Sequence, residues 1–290
     1  MKHLNQGLFT GERALFAQKN LKITDSIFEA GESPLKESRD ISLCGCIFKW
    51  KYPLWYSKNI EIENTTLLET ARSGIWYTED VKVKNCVIDA PKTFRRAKNI
   101  EICDTVFSDA KETLWYCSNV YAEGCHFTGD YLALSCDGFT AKNISVSGNY
   151  LFDGAKNIKV ENSKLISKDC FWNCENVTVK DSLIIGEYIG WNSKNLTFVN
   201  CTIESNQGLC YIAGLKMVNC KLINTDLSFE YSTEIDAEIC SEIDSVKNPS
   251  SGKIKAKSIK TLIHDKNFVD TEKTVIEAKI YESGDASDEV

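Results

Sequence analysis

The chain has 290 residues, with 34 Lys and Arg against 41 Asp and Glu, a formal net charge of −7. That balance disfavours a nucleic-acid-binding platform, and no stretch is long and apolar enough to cross a membrane as a helix. The segment Met1 to Thr10 is polar and glycine-bearing, so a cytoplasmic location without membrane partners is expected.

Residues 1–19 are expected to form an amino-terminal edge or cap, with Phe9, Leu15 and Phe16 covering the first coil of a repeat. From residue 20 a short phrase recurs, a turn residue followed by apolar–polar–apolar. Examples are Asn20-Leu21-Lys22-Ile23, Asn59-Ile60-Glu61-Ile62, Asn99-Ile100-Glu101-Ile102 and Asn176-Val177-Thr178-Val179. The first apolar members are Leu21, Ile41, Ile60, Val81, Ile100, Val120, Phe139, Ile158, Val177, Leu196, Leu215, Ile235 and Ile254, at intervals of 19 to 21 residues. So short and steady a period predicts an all-β fold, a parallel β-helix of about 12–13 coils with three short strands per coil.

The columns of the repeat explain one another. Residues two apart on a strand point the same way, so the column Ile23, Leu43, Ile62, Val83 and Ile102 joins the first column in the core. A second turn column holds Asp25, Gly45, Asn64, Asn85 and Asp104, residue types that tolerate a left-handed backbone. Next come small residues, Ser26, Cys46, Thr65, Cys86, Thr105, Cys125, Cys201, Cys220 and Cys240. In that company the cysteines act as small buried hydrophobes rather than disulfide partners. The coil from Asp137 to Tyr150 is the most irregular, and Lys247 to Gly252 interrupts the pattern. The β-helix is expected over 20–263, followed over 264–290 by an edge strand near Thr274 to Ile280 and a disordered acidic tail from Glu282.

Function is sought where side chains depart from the columns without a packing reason. Five positions before each first column stand Lys36, Trp55, Trp76, Arg95, Trp115, Leu134, Asp153, Trp172, Trp191, Cys210 and Glu230. The charged members turn this column outward, while its neighbours Leu35, Leu54, Ile75, Phe94 and Leu114 turn inward. Five tryptophans then share one surface stripe, flanked by Tyr56, Tyr77 and Tyr116, a platform for flat apolar faces such as those of sugar rings. Glu32, Glu37, Glu112 and Asp130 are the acids in range for glycosidic bond cleavage. Lys36, Arg72, Lys92, Arg95 and Arg96 are bases or anion clamps. His3, His126 and His264 lie far apart in the repeat, which leaves no histidine metal cluster, and no phosphate or dinucleotide motif calls for a cofactor.

At these residues the sequence resembles a bacterial family, domain of unknown function 3737. The likeness rests on Gly11-Glu12-Arg13-Ala14-Leu15-Phe16, Gly31-Glu32-Ser33-Pro34-Leu35-Lys36-Glu37-Ser38, Lys51-Tyr52-Pro53-Leu54-Trp55-Tyr56, Gly74-Ile75-Trp76-Tyr77 and Pro91-Lys92-Thr93-Phe94-Arg95-Arg96. It covers nearly the whole chain to about Ile280. The resemblance implies a single-stranded, right-handed, pectate-lyase-like β-helix, and it carries over no catalytic residue. Two functions stay open. One is binding or processing of an oligosaccharide along the stripe, as a glycoside hydrolase or polysaccharide lyase if it is an enzyme. The other is a non-catalytic scaffold or homo-oligomer that uses the same aromatic face.

Overall fold

The computed structural model describes residues 1–285, which belong to two compact units, Met1–Gly148 and Asn149–Val290. The division falls inside the irregular coil Asp137 to Tyr150. Each unit is a right-handed parallel β-helix.

In the first unit one sheet stacks Lys2–Asn5, Lys19–Thr24, Arg39–Cys44, Lys58–Glu63, Glu79–Lys84, Lys98–Cys103, Ser118–Glu123 and Asp137–Lys142, each parallel to the next. A second sheet stacks shorter strands such as Ile27–Phe28, Ile47–Phe48 and Thr66–Leu67. The third side of the coil is barely a sheet, with Ile75–Trp76 paired to Phe94–Arg95 and a single bridge on to Trp115. The second unit repeats the pattern from Lys156–Glu161 through Glu175–Lys180 and Lys194–Val199, then lengthens into Ala213–Asp226, Thr233–Ile239, Gly252–His264 and Thr274–Asp285. The described rungs extend beyond both ends of the sequence repeat. Lys2–Asn5 pairs with Lys19–Thr24, and the last strand runs to Asp285; the rest of the expected acidic tail lies outside the described residues.

The columns pack as like on like. Leu21, Ile41, Ile60, Val81 and Ile100 are all buried, and Phe9, Phe28 and Phe48 stack with centroids 4.9 and 4.4 Å apart. The small column does more than save space. From Ser26 to Cys220 its hydroxyls and thiols donate to the carbonyl two residues back, as from Thr65 Oγ1 to Glu63 at 2.8 Å and from Cys86 Sγ to Lys84 at 3.2 Å. Thr65 Oγ1 also accepts from the Cys46 amide of the neighbouring coil at 3.2 Å. This corner has no sheet ladder, so the side chain satisfies backbone groups that would otherwise be buried unpaired.

Where the sequence shows two columns of left-handed backbone the corners use more: Leu114, Phe152, Phe171 and Leu209 belong to one that appears in later coils, and earlier coils have four. In one coil these are Lys92, Arg96, Asn99 and Asp104, with φ of 57°, 49°, 54° and 49°. At the two expected columns the amides form ladders along the axis, Asn99 Nδ2 donating to Asp80 at 2.8 Å and Asn119 Nδ2 to Asn99 at 2.9 Å. The register corrects the repeat near its end. Ile254 lies opposite Ala237 rather than Ile235, and Cys220 lies opposite Ile239, so Cys240 is only half-buried and is not a core thiol. Bulges in the long strands of the second unit shift the count there.

All thirteen cysteines are free thiols. Burial raises the pKa of Cys46, Cys86 and Cys125, the last to about 11, so they stay protonated and inert at neutral pH. Brief maleimide labelling of the native protein, read by peptide mass spectrometry, is expected to mark the half-buried Cys44, Cys103 and Cys240 first. Labelling of Cys46 or Cys125 at the same rate would contradict the packed column.

Candidate functional site

The outward stripe of the first unit is two parallel ladders built on adjacent columns. Leu54, Ile75, Phe94 and Leu114 point inward and are fully buried, which turns the following residues, Trp55, Trp76, Arg95 and Trp115, to the surface, where they are half-buried. Trp55 and Trp76 stack at 5.1 Å with planes 6° apart. The Arg95 guanidinium fills the next rung, 4.5 Å from the Trp76 ring and 4.6 Å from that of Trp115. Each indole N–H is tied to a loop carbonyl: Trp55 to Ser73 at 2.6 Å, Trp76 to Lys92 at 2.8 Å and Trp115 to Tyr131 at 2.6 Å. Arg95 Nε is buried without a hydrogen-bond partner, so stacking rather than hydrogen bonding holds that part of the guanidinium.

The outer ladder stands on a left-handed corner column. Glu37, Tyr56, Tyr77, Arg96 and Tyr116 all have φ between 49° and 62°. Tyr56 and Tyr77 stack at 4.8 Å, Lys36 Nζ lies 5.6 Å from the Tyr56 ring, and Arg96 lies 5.1 Å from that of Tyr116. A side chain other than Gly, Asn or Asp costs about 1 kcal/mol or more at such a corner. Each stacked pair returns an amount of that order.

Stacking also decides what the stripe offers. In the Trp55–Trp76 and Tyr56–Tyr77 pairs the facing ring surfaces cover each other, which leaves ring edges outward. Ring edges are the positive part of the aromatic quadrupole, and the stripe therefore suits oxygen-rich, negatively charged groups.

Two depressions flank the Trp column. One, of about 610 Å³, is lined by Glu37, Arg39, Tyr56, Ser57, Lys58, Tyr77 and Glu79. The other, of about 320 Å³, is lined by Trp50, Lys51, Glu69, Thr70, Arg72 and Pro91. Arg39 and Trp50 are additions that the repeat did not single out. Arg39 sits in a column of charged surface residues, and Trp50 lies outside every column; an exposed tryptophan off the repeat was the available signal.

The candidate acids are dispersed. Glu32 accepts from Lys51 at 2.7 Å, a hydrogen bond that raises the lysine pKa. Glu112 accepts from Lys92 at 3.0 Å and from Arg95 at 3.3 Å. Glu37 makes no ion pair among the described residues. Glu37 and Glu112 stand four coils apart, about 19 Å at ~4.8 Å per coil, against about 5–9.5 Å between the two carboxyls of glycosidases. Glu112 and Asp130 occupy successive coils, joined by a backbone hydrogen bond of 2.9 Å, but the Glu112 carboxylate is already clamped by the two cations. Lys36, Arg39, Arg72 and Arg96 make no ion pair among the described residues and outnumber the unpaired acids beside them, Glu37 and Glu69. No three His, Cys, Asp or Glu side chains among the described residues are grouped to hold a metal ion.

In the second unit Trp172 and Trp191 hold the same column, half-buried, and Trp191, Tyr211 and Tyr231 follow one another at 4.7 and 5.3 Å. Cys210 and Glu230, expected on the surface, are buried. Glu230 turns inward because Lys247 at 3.0 Å and Gln207 at 3.2 Å satisfy its carboxylate there.

Arg95→Lys keeps the charge and removes the planar group between the indoles. Thermal unfolding is expected to show a loss of about 1–2 kcal/mol; an unchanged midpoint would mean the sandwich contributes nothing.

The solved structures that this chain is similar to are distant. They include a tailspike protein mutant of E. coli bacteriophage HK620 in complex with a pentasaccharide, at 10% identity over 96% of this chain and 70% of that one, TM-score 0.46. PfbA, a surface adhesin of Streptococcus pneumoniae, matches at 12% identity over 82% and 72%, TM-score 0.37. A Yersinia enterocolitica family 28 exopolygalacturonase matches at 6% identity over 98% and 72%, TM-score 0.32. No curated protein matches the sequence. A family model described as protein of unknown function (DUF3737) matches residues 2–277, and the chain belongs to that family.

Proposed function

We propose that the chain binds acidic oligosaccharides on the stripe of its first unit, through cations and ring edges rather than through ring faces. The observation that carries this reading is the set Lys36, Arg39, Arg72 and Arg96, cations without carboxylate partners beside the Tyr56–Tyr77 and Trp55–Trp76 stacks. A carboxylate-bearing sugar satisfies such a surface, with arginine forks donating two parallel hydrogen bonds and hydroxyls meeting the phenols. Binding without turnover is the form this takes, because the Glu32 and Glu112 carboxylates are held by cations and Glu37 stands four coils from Glu112. A cytoplasmic location goes with the proposal, since the cysteines fill core columns as thiols.

The test is tryptophan fluorescence titrated with a uronic-acid oligomer and with a neutral oligomer of equal length. Saturable change with the acidic oligomer is expected, weakening as salt rises. Arg72→Ala and Arg96→Ala are each expected to lower affinity by about tenfold, near the 1.4 kcal/mol worth of a charge-assisted contact. Equal response to the neutral oligomer, or none to either, would reject the proposal. If Tyr56→Ala then dissociated a stable dimer, the face would be an assembly surface instead.

A further inference from the structure

The last strand of the second unit, Thr274–Asp285, is paired on one edge and open on the other. Its inner edge runs parallel to Gly252–His264, with Ile254 opposite Ile276 and Ile259 opposite Ile280. Among the described residues no strand pairs with its other edge. The core columns therefore continue into this rung without a cover. Ile276 and Ala278 are half-buried, Ile280 is 38% exposed, and on the opposite face Val275 and Tyr281 are 53% and 56% exposed. A long open strand edge with apolar side chains on both faces is a template for pairing with another strand.

The sequence of this edge is complementary to itself. We propose that Thr274–Asp285 pairs antiparallel with the same strand of a second copy, about a twofold axis through Ala278. In that register Glu277 faces the partner's Lys279 and Lys279 faces the partner's Glu277. Ile276 meets the partner's Ile280 on the inner face, and Val275 meets the partner's Tyr281 on the outer face. Every pair joins residues on the same side of the sheet, as antiparallel pairing requires. A slip of two residues one way sets Glu277 against its own copy on the axis, and a slip the other way does the same to Lys279, so like charges reject the neighbouring registers. The existing contacts of these groups remain compatible: Glu277 accepts from Lys253 at 2.8 Å within its own chain, and Lys279 Nζ lies 4.5 Å from the Tyr281 ring. Isologous pairing of this kind gives a closed dimer and covers the open rung of both copies. It involves the second unit alone and does not depend on the oligosaccharide site.

Sedimentation velocity of the full chain tests it. A reversible dimer is expected. Glu277→Lys and Lys279→Glu, each confirmed as folded by circular dichroism, should each weaken it by about tenfold or more, as two opposite-charge pairs become two like-charge pairs. An equimolar mixture of the two variants, in which all pairs are again opposite, should restore the dimer. A monomer at every concentration, a dimer insensitive to both substitutions, or a mixture that stays dissociated would overturn the proposal.

Discussion

Every side chain in these units sits one rung, about 4.8 Å, from the residue at the same place in the next coil. That spacing is the constraint on which the rest depends. It equals the stacking distance of aromatic rings and permits a hydrogen bond from one amide side chain to the next. A residue is therefore stable at a position chiefly if it suits its own column. Phe28 on Phe48, Asn99 on Asp80 and Tyr56 on Tyr77 are three outcomes of the same rule, in the core, at a corner and on the surface. Where a column changes character, as at Arg95 between Trp76 and Trp115, the newcomer is one that can still stack.

The same rule shapes the chemistry of the surface. Stacked rings cover each other's facing surfaces, and the Trp55, Trp76 and Trp115 indole N–H groups are bound to loop carbonyls. What remains outward is the edge of each ring, the phenol oxygens and the charged members of the columns. Glu32 is held by Lys51 and Glu112 by Lys92 and Arg95, while Glu37 and Glu69 make no ion pair among the described residues and are outnumbered by Lys36, Arg39, Arg72 and Arg96, which make none either. The surplus gives the stripe its sign although the chain as a whole is acidic. Net charge says little here, because eight acids against three lysines crowd the segment from Asp265 onward.

The β-helix itself was legible because its core columns and two of its corner columns carry residue types with one physical meaning. Alternating apolar residues mark strands, and Asn, Asp and Gly mark left-handed corners. Two further corner columns were hidden. They carry Glu37, Tyr56, Tyr77 and Arg96 in one and Tyr52, Lys92 and Glu112 in the other, residues that composition assigns to any solvated surface. Contacts between coils offset their backbone cost, and such contacts become visible only once the coils are stacked. For the same reason the tryptophan stripe could be placed on the surface from its period, while the direction of its rings could not. The inward turn of Glu230 was equally hidden, since its partners Gln207 and Lys247 lie in neighbouring coils. The registers near Ile254 and Cys240 were misplaced because a steady period does not record bulges.

Recognition of negative charge by the first unit, through ring edges and unpaired arginines, is the proposal on which the function rests. A crystal structure of the protein with a uronic-acid oligomer bound tests it most directly. Sugar carboxylates are expected within hydrogen-bond distance of Arg39, Arg72 or Arg96, with the Trp55–Trp76 and Tyr56–Tyr77 stacks intact. Sugar rings inserted between those stacks, or density for the oligomer only away from this face, would contradict it.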